Sequence, residues 1–222
     1  MERETRPVTT ASDKRIQFYF DPLCPWAWMT SLWVREVRKE QPLEIEWKFF
    51  SLAGINDRDE QWHGPLRICA LARREGGNDA VDRAYLALGR LFHERSDSFE
   101  EIDNLADVAR PYLEAVGLDP SLAQRALQDE STYDAVINEQ REATETLGAF
   151  GVPWIVIGEN DYGFFGPVIG QLVQGKEAVE LWEHFQFMGT RPYLYELKRG
   201  RKKMQDLQGL SSGMSQELAG SH

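Results

Sequence analysis

Cysteine is nearly absent. The 222-residue chain has two, Cys24 and Cys69, too few and too far apart in sequence for a disulfide scaffold, which points to a reducing compartment. No stretch approaches the run of about 20 apolar residues that a membrane span needs, and Met1 to Lys14 lacks the apolar centre of a signal peptide. A cytoplasmic protein without membrane association is therefore expected. Histidine is also scarce: His63, His93, His184 and His222 show no paired ligand spacing, so no metal centre is expected. Positive charge is in deficit, with 25 Lys and Arg against 36 Asp and Glu. The resulting net charge of −11 repels polyanions and argues against nucleic acid as a partner. Gly-rich phosphate loops, nucleophile elbows and paired-carboxylate constellations do not stand out.

What is present is enough apolar residue, 42%, for a packed core. Arg15 to Phe20 is rich in aromatic and β-branched residues and reads as a strand. From Trp28 the apolar residues recur at helical spacing through Leu32, Trp33 and Val37, and Pro42 should end that helix near Glu40. Leu43 to Phe49 alternates apolar and charged residues, predicting a second strand with one buried face. Strand, helix and strand in so short a span predict a βαβ unit with parallel strands.

From Gly64 to about Phe150 the pattern is helical throughout. Helices are expected over 65–75, closed by Gly76 and Gly77, over 78–95, and over 101–116 with a kink or split at Pro111. Two more are expected from Asp119-Pro120 to Gln128, and from a capping box at Ser131 and Asp134 to Leu147. Beta signals return at 152–157 and 162–165, with turn residues between them, as an antiparallel hairpin. A last helix is expected from Pro167 to Phe187. The basic run Lys198-Arg199-Gly200-Arg201-Lys202-Lys203 reads as a solvated end of the fold, followed by a loose Gly- and Ser-rich tail from Gln205.

Cys24 stands where the first strand meets its helix, in Phe20-Asp21-Pro22-Leu23-Cys24-Pro25-Trp26-Ala27-Trp28. The first turn of a helix presents unpaired N–H groups and the positive end of the helix dipole. A thiol there is expected to ionise easily, with a pKa lowered from about 8.5 to roughly 3.5–7.5. Pro25 suits the first helical position, and Trp26 can shield the sulfur from one side. The alternative is a buried structural cysteine that merely starts a helix. Cys69, among apolar residues, reads as packing, with a recruited resolving thiol as the other reading. His63 reads as a surface residue or, near the loop after the second strand, as a proton donor.

The segment order, the Cys-Pro dipeptide opening the first helix and Gly151-Val152-Pro153-Trp154 before the third strand resemble the DsbA-like thioredoxin-fold proteins. Within them the chain looks most like the branch of mycothiol-dependent oxidoreductases and nitroreductases. It is more distantly similar to kappa-class glutathione transferases and 2-hydroxychromene-2-carboxylate isomerases. Phe164-Phe165-Gly166-Pro167-Val168 and Pro192 to Arg199 extend the likeness. The resemblance implies an α/β, thioredoxin-like fold with an all-helical insertion. Its parts would be a flexible N-terminus (1–13), thioredoxin-like segments (14–63 and 150–203), a helical insertion (64–149) and a flexible tail (204–222).

The resemblance also implies that Cys24 is catalytic and that Val152-Pro153 is a cis bond facing it; an ordinary trans proline opening an edge strand is the other reading. It implies that Pro25, Trp26, Asn56, Val152 and Pro153 contact the thiol or substrate. The family's usual second cysteine is Ala27 here, either naturally or as the trap that its replacement would make. With no internal resolving thiol, Cys24 needs an external one, mycothiol or glutathione, as co-substrate.

The leading expectation is a monothiol thiol-disulfide oxidoreductase using a Cys24 thiolate on a small-molecule or protein disulfide, or reducing small organic substrates. The alternatives are a glutathione-transferase-like isomerase or transferase and a non-catalytic thioredoxin-fold binding module. Tyr193 and Tyr195 are read either as a homodimer surface or as core packing of the last segment.

Overall fold

The structure, a computed structural model, describes residues 14–95, 102–160, 162–212 and 214. The expected flexible N-terminus, 1–13, lies outside them. Strand β1 (Arg15–Phe20) pairs in parallel with β2 (Glu44–Phe49), with Phe18 opposite Trp47 and Phe20 opposite Phe49. Helix α1 (Pro25–Glu40) connects them and ends, as Pro42 predicts, at an extended Gln41. On its other edge β1 pairs antiparallel with β3 (Trp154–Ile157), which pairs with β4 (Phe164–Phe165), giving the order β2-β1-β3-β4.

Alternation along the strands divides the core in two. Ile16, Phe18 and Phe20 join α1 and the helical insertion in the larger apolar cluster, and Tyr85 stacks on Phe20 with ring centroids 4.0 Å apart. Tyr19, Trp154 and Val156, at the alternate positions, form a smaller cluster with Cys24, Ala27, Ala143 and Val152. The candidate site belongs to this smaller core.

The insertion between β2 and β3 begins, after α2 (Leu52–Ile55) and a 3-10 turn (Glu60–His63), with α3 (Gly64–His93). Gly76 and Gly77 break α3 as expected, because Gly77 takes φ 67°, which a Cβ would resist. A buried ion pair, Arg35 with Asp82, ties α1 to α3, and the Arg35 guanidinium lies 4.6 Å from the Trp47 ring centre. Next come α4 (Leu105–Val108) and α5 (Arg110–Ala115), a split near Pro111. Helix α6 (Leu122–Gln128) starts later than expected because the Asp119 carboxylate accepts from the Ser121 N–H at 2.8 Å, forming a turn. Helix α7 (Glu130–Leu147) is capped by Asp129, which accepts from the Ser131 N–H at 3.0 Å, not by the expected Ser131–Asp134 box.

The last helix is also shorter than expected: α8 spans Gly175–Gly189. Backbone groups before it are used elsewhere. The Pro167 carbonyl lies 2.8 Å from the Thr30 hydroxyl, the Gly170 carbonyl accepts from Gln205 N–H at 2.8 Å, and Leu172 N–H donates to the Gln205 side chain at 2.9 Å. Nor is the described part of the tail loose. Met204, Leu207 and Leu210 pack on the larger core, and Ser211 is fully buried. Arg90 donates to the Ser211 hydroxyl at 2.7 Å and to its carbonyl at 2.6 Å. Sequence polarity concealed this because three spaced apolar side chains and one buried serine hold the segment. Tyr193 and Tyr195 are exposed, which removes the core-packing reading for them.

Candidate active site

Cys24 is the N-cap of α1, with φ −90° and ψ 110°. Pro25 follows at the first helical position, where its missing N–H costs no hydrogen bond. The Ala27 N–H donates to the Cys24 sulfur at 3.4 Å, the helix-start contact that the sequence predicts. Across from it the Val152-Pro153 bond is cis, and the Cys24 thiol donates to the Val152 carbonyl at 3.7 Å. The Gly166 N–H in turn donates to the Pro153 carbonyl at 2.8 Å, so the residue after β4 braces the proline loop. Trp26 is half-buried beside Cys24 and Val152.

The charge state of the thiol differs from expectation. Cys24 is only 5% exposed, and burial pushes its thiol up to about 11, against the Ala27 and Trp26 N–H groups and the more distant Arg201 charge, with Asp21 adding to the rise. The expected thiolate is therefore a neutral thiol at rest. Two backbone donors and a helix end do not offset the loss of water around the sulfur.

Two residues of the site went unassigned in the sequence. The Asp21 carboxylate, fully buried, accepts from Leu23 N–H at 2.9 Å and from Leu52 N–H at 2.7 Å, joining the loop before Cys24 to the loop after β2. Burial pushes it up to about 6 despite these two bonds. His93, at the end of α3, donates from Nε2 to the Pro22 carbonyl at 2.7 Å, and burial lowers it to about 4. An Asp at the end of an apolar strand, before a proline, was the available signal for Asp21. For His93 no local signal existed, because its partner lies 71 residues away.

Other expected residues lie apart. Asn56 is an exposed cap of α2, and its amide donates to the Leu52 carbonyl at 2.7 Å, closing its own turn. Beside it a cavity of about 400 Å³ opens between α2 and α7, lined by Ala53, Gly54, His63, Tyr133, Gln140 and Arg141 among others. Neither Cys24 nor Trp26, Val152 or Pro153 lines it. His63 is not a surface residue: it is buried, paired with the Ser51 hydroxyl at 3.0 Å, and burial lowers its pKa. Cys69 is fully buried in α3, its thiol pushed far up by burial, as packing requires. Neither cysteine is in a disulfide. No described helix is long and apolar enough to cross a membrane.

Residues 23–199 match the family model described as mycothiol-dependent nitroreductase Rv2466c. An uncharacterized protein of Mycobacterium tuberculosis, Rv2286c, is 34% identical over 194 residues, covering 83% of this chain and 81% of that protein. Among solved structures, Pseudomonas aeruginosa DsbA superposes with TM-score 0.51 at 14% identity, over 82% of this chain and 86% of its own. A 2-hydroxychromene-2-carboxylate isomerase superposes with TM-score 0.50 at 16% identity, over 68% and 88%. At these identities the two structures speak for the fold: the expected DsbA-like thioredoxin fold with a helical insertion is the fold found.

Proposed function

Because the chain belongs to the mycothiol-dependent nitroreductase family, we propose that it is a monothiol oxidoreductase in which Cys24 is the nucleophile and a low-molecular-weight thiol, mycothiol or glutathione, is the co-substrate. The observation that carries this reading is the Cys24 sulfur at a helix start, facing the carbonyl of the cis Val152-Pro153 bond. The cytoplasm, where such thiols are kept reduced, suits it.

The Cys24 sulfur attacks one sulfur of a small-molecule or protein disulfide; a Cys24–sulfur bond replaces the S–S bond, and the other sulfur leaves as thiolate. An external thiolate then attacks the partner sulfur and releases Cys24. Ala27 closes the internal route, since it has no thiol. With a small organic acceptor, Cys24 and one external thiol join as a mixed disulfide while two electrons and two protons pass to the acceptor. A second external thiol restores Cys24 and departs in a symmetrical disulfide.

Val152 and Pro153 hold the partner, Trp26 walls the pocket and Pro25 sets the helix start. A contact from Asn56 would require its amide to leave Leu52. The thiol is protonated at rest, so its ionisation accompanies entry of a partner that displaces the Val152 contact and restores polar surroundings.

Intact mass after incubation with the oxidised forms of mycothiol and glutathione tests the reading. One thiol adduct on the native chain and none on Cys24→Ser is expected; no adduct with either disulfide overturns it. The raised Cys24 pKa favours a second reading, in which the site activates a bound thiol as glutathione-transferase-like and isomerase enzymes do, with Cys24 unchanged in redox state. That reading expects turnover without an adduct. Neither adduct nor turnover would leave a binding module.

A further inference from the structure

The basic run read as a solvated end of the fold reaches the candidate site. After α8 the chain returns across the loop that precedes that helix, and Gln205 fastens it there through its N–H to the Gly170 carbonyl and its side chain to the Leu172 N–H. Arg90 clasps Ser211 farther on, and Ser211 N–H donates to Glu94 at 3.0 Å. The segment is thus pinned at two places. Four residues before the first pin, the Arg201 guanidinium lies over the Trp26 ring, 5.0 Å from its centre. Gly170 lies beside the same tryptophan: a Cβ on it would come within 3.9 Å of the ring.

Stacking fixes the plane of a guanidinium while leaving its N–H groups free to bind. Among the described residues Arg201 makes no ion pair, although the chain carries 36 acidic residues. Lys198, in the same run, faces Glu196 at 3.9 Å. An arginine with no ion pair among the described residues, held over the ring of the residue two positions after Cys24, is a receptor for a planar anion.

The geometry points to Arg201 as a specificity residue of the Cys24 site, receiving a carboxylate on the disulfide or organic acceptor that reacts there. This rests on the reading of Cys24 as the nucleophile. Trp26 is then both the wall of the pocket and the platform on which Arg201 is aimed. The positive charge also offsets the repulsion that a chain of net charge −11 exerts on an anionic partner.

Two alkylating reagents of nearly equal size test it, iodoacetate with its carboxylate and neutral iodoacetamide. Each is reacted with the full-length protein at one mildly alkaline pH, and Cys24 labelling is separated from Cys69 by peptide mass. The rate ratio of iodoacetate to iodoacetamide should fall about threefold in Arg201→Ala, the order of effect of one nearby unit charge in water-like surroundings. Arg201→Lys should keep part of the ratio, Lys202→Ala should leave it unchanged, and added salt should erode it in the native protein. An equal ratio in the native protein and Arg201→Ala overturns this proposal alone. Failure of both reagents to label Cys24 removes the nucleophile reading and this proposal with it.

Discussion

His93 and Pro22 are joined across 71 residues of sequence: the imidazole Nε2–H donates to the Pro22 carbonyl at 2.7 Å. The end of the long insertion helix therefore holds the loop that delivers Cys24. Burial keeps the imidazole neutral although the bond to the carbonyl favours the charged form, and the native pKa of about 4 lies below the ordinary 6.5. The unfolded chain therefore takes up a proton first as pH falls. Stability from this residue is complete above about pH 6.5 and is lost as pH falls toward 4, by about 3 kcal/mol. Urea unfolding of the native protein and His93→Gln should show their stability difference shrinking by that amount between pH 7 and 4. A difference that stays constant over this range would mean that His93 titrates normally.

Asp21 acts with the opposite sign over nearly the same range. Its folded pKa, about 6, stands above the ordinary 3.8, so the native state keeps its proton longer than the unfolded chain as pH rises. The stabilising contribution is complete below about pH 4 and is lost as pH rises through 6, again by about 3 kcal/mol. Compared with Asp21→Asn, the native protein should lose that much stability between pH 4 and 7, measured by the same unfolding titrations. A flat difference would show that the two backbone donors, Leu23 and Leu52, fully offset the burial of the charge.

These two residues show where sequence reading succeeded and where it stopped. The junction at Cys24 was legible because strand alternation, Pro25 and the helical spacing after Trp28 are local signals, and α1 begins and ends where they put it. The breaks at Gly76-Gly77 and near Pro111 were legible for the same reason. The thiol charge was not, since a helix start is visible in sequence and the water excluded by Val152, 128 residues away, is not. The start of α8 and the docking of the tail were hidden likewise, because Thr30, Gln205 and Arg90 satisfy distant backbone groups that a local pattern assigns to a helix or to solvent. The cis Val152-Pro153 bond was expected on the family resemblance, not on the residues alone.

Gly89 of α3 packs directly against the helix that Cys24 begins. A Cβ at this position would stand 2.2 Å from the ring of Trp28, which is fully buried and has nowhere to retreat. Gly89→Ala should therefore destabilise the protein by about 1–3 kcal/mol, the usual cost of overpacking, despite the better helix propensity of alanine. For a chain of this length that is a fall in Tm of roughly 2–12 °C. Calorimetry decides: an unchanged or raised Tm would mean that the two helices slide apart freely.

On the proposed monothiol reading, Ala27 is a position at which a second thiol would change the chemistry. Its N–H already touches the Cys24 sulfur, and its side chain is fully buried in the same small cluster. In Ala27→Cys the new sulfur should attack the Cys24 mixed disulfide from within, expelling the bound thiol and leaving an internal disulfide. Exposure to oxidised mycothiol should then leave no adduct on the variant, only a mass lower by about 2 Da for the two hydrogens lost. The added sulfur should lower stability by about 1–3 kcal/mol, since it enlarges a fully buried side chain. Oxidation should make the variant insensitive to iodoacetamide at Cys24, whereas the native chain recovers its reactivity when external thiol is supplied. An adduct that persists on the variant would show that residue 27 does not reach the reacting sulfur, and the absence of a resolving cysteine would then have no bearing on how this protein turns over.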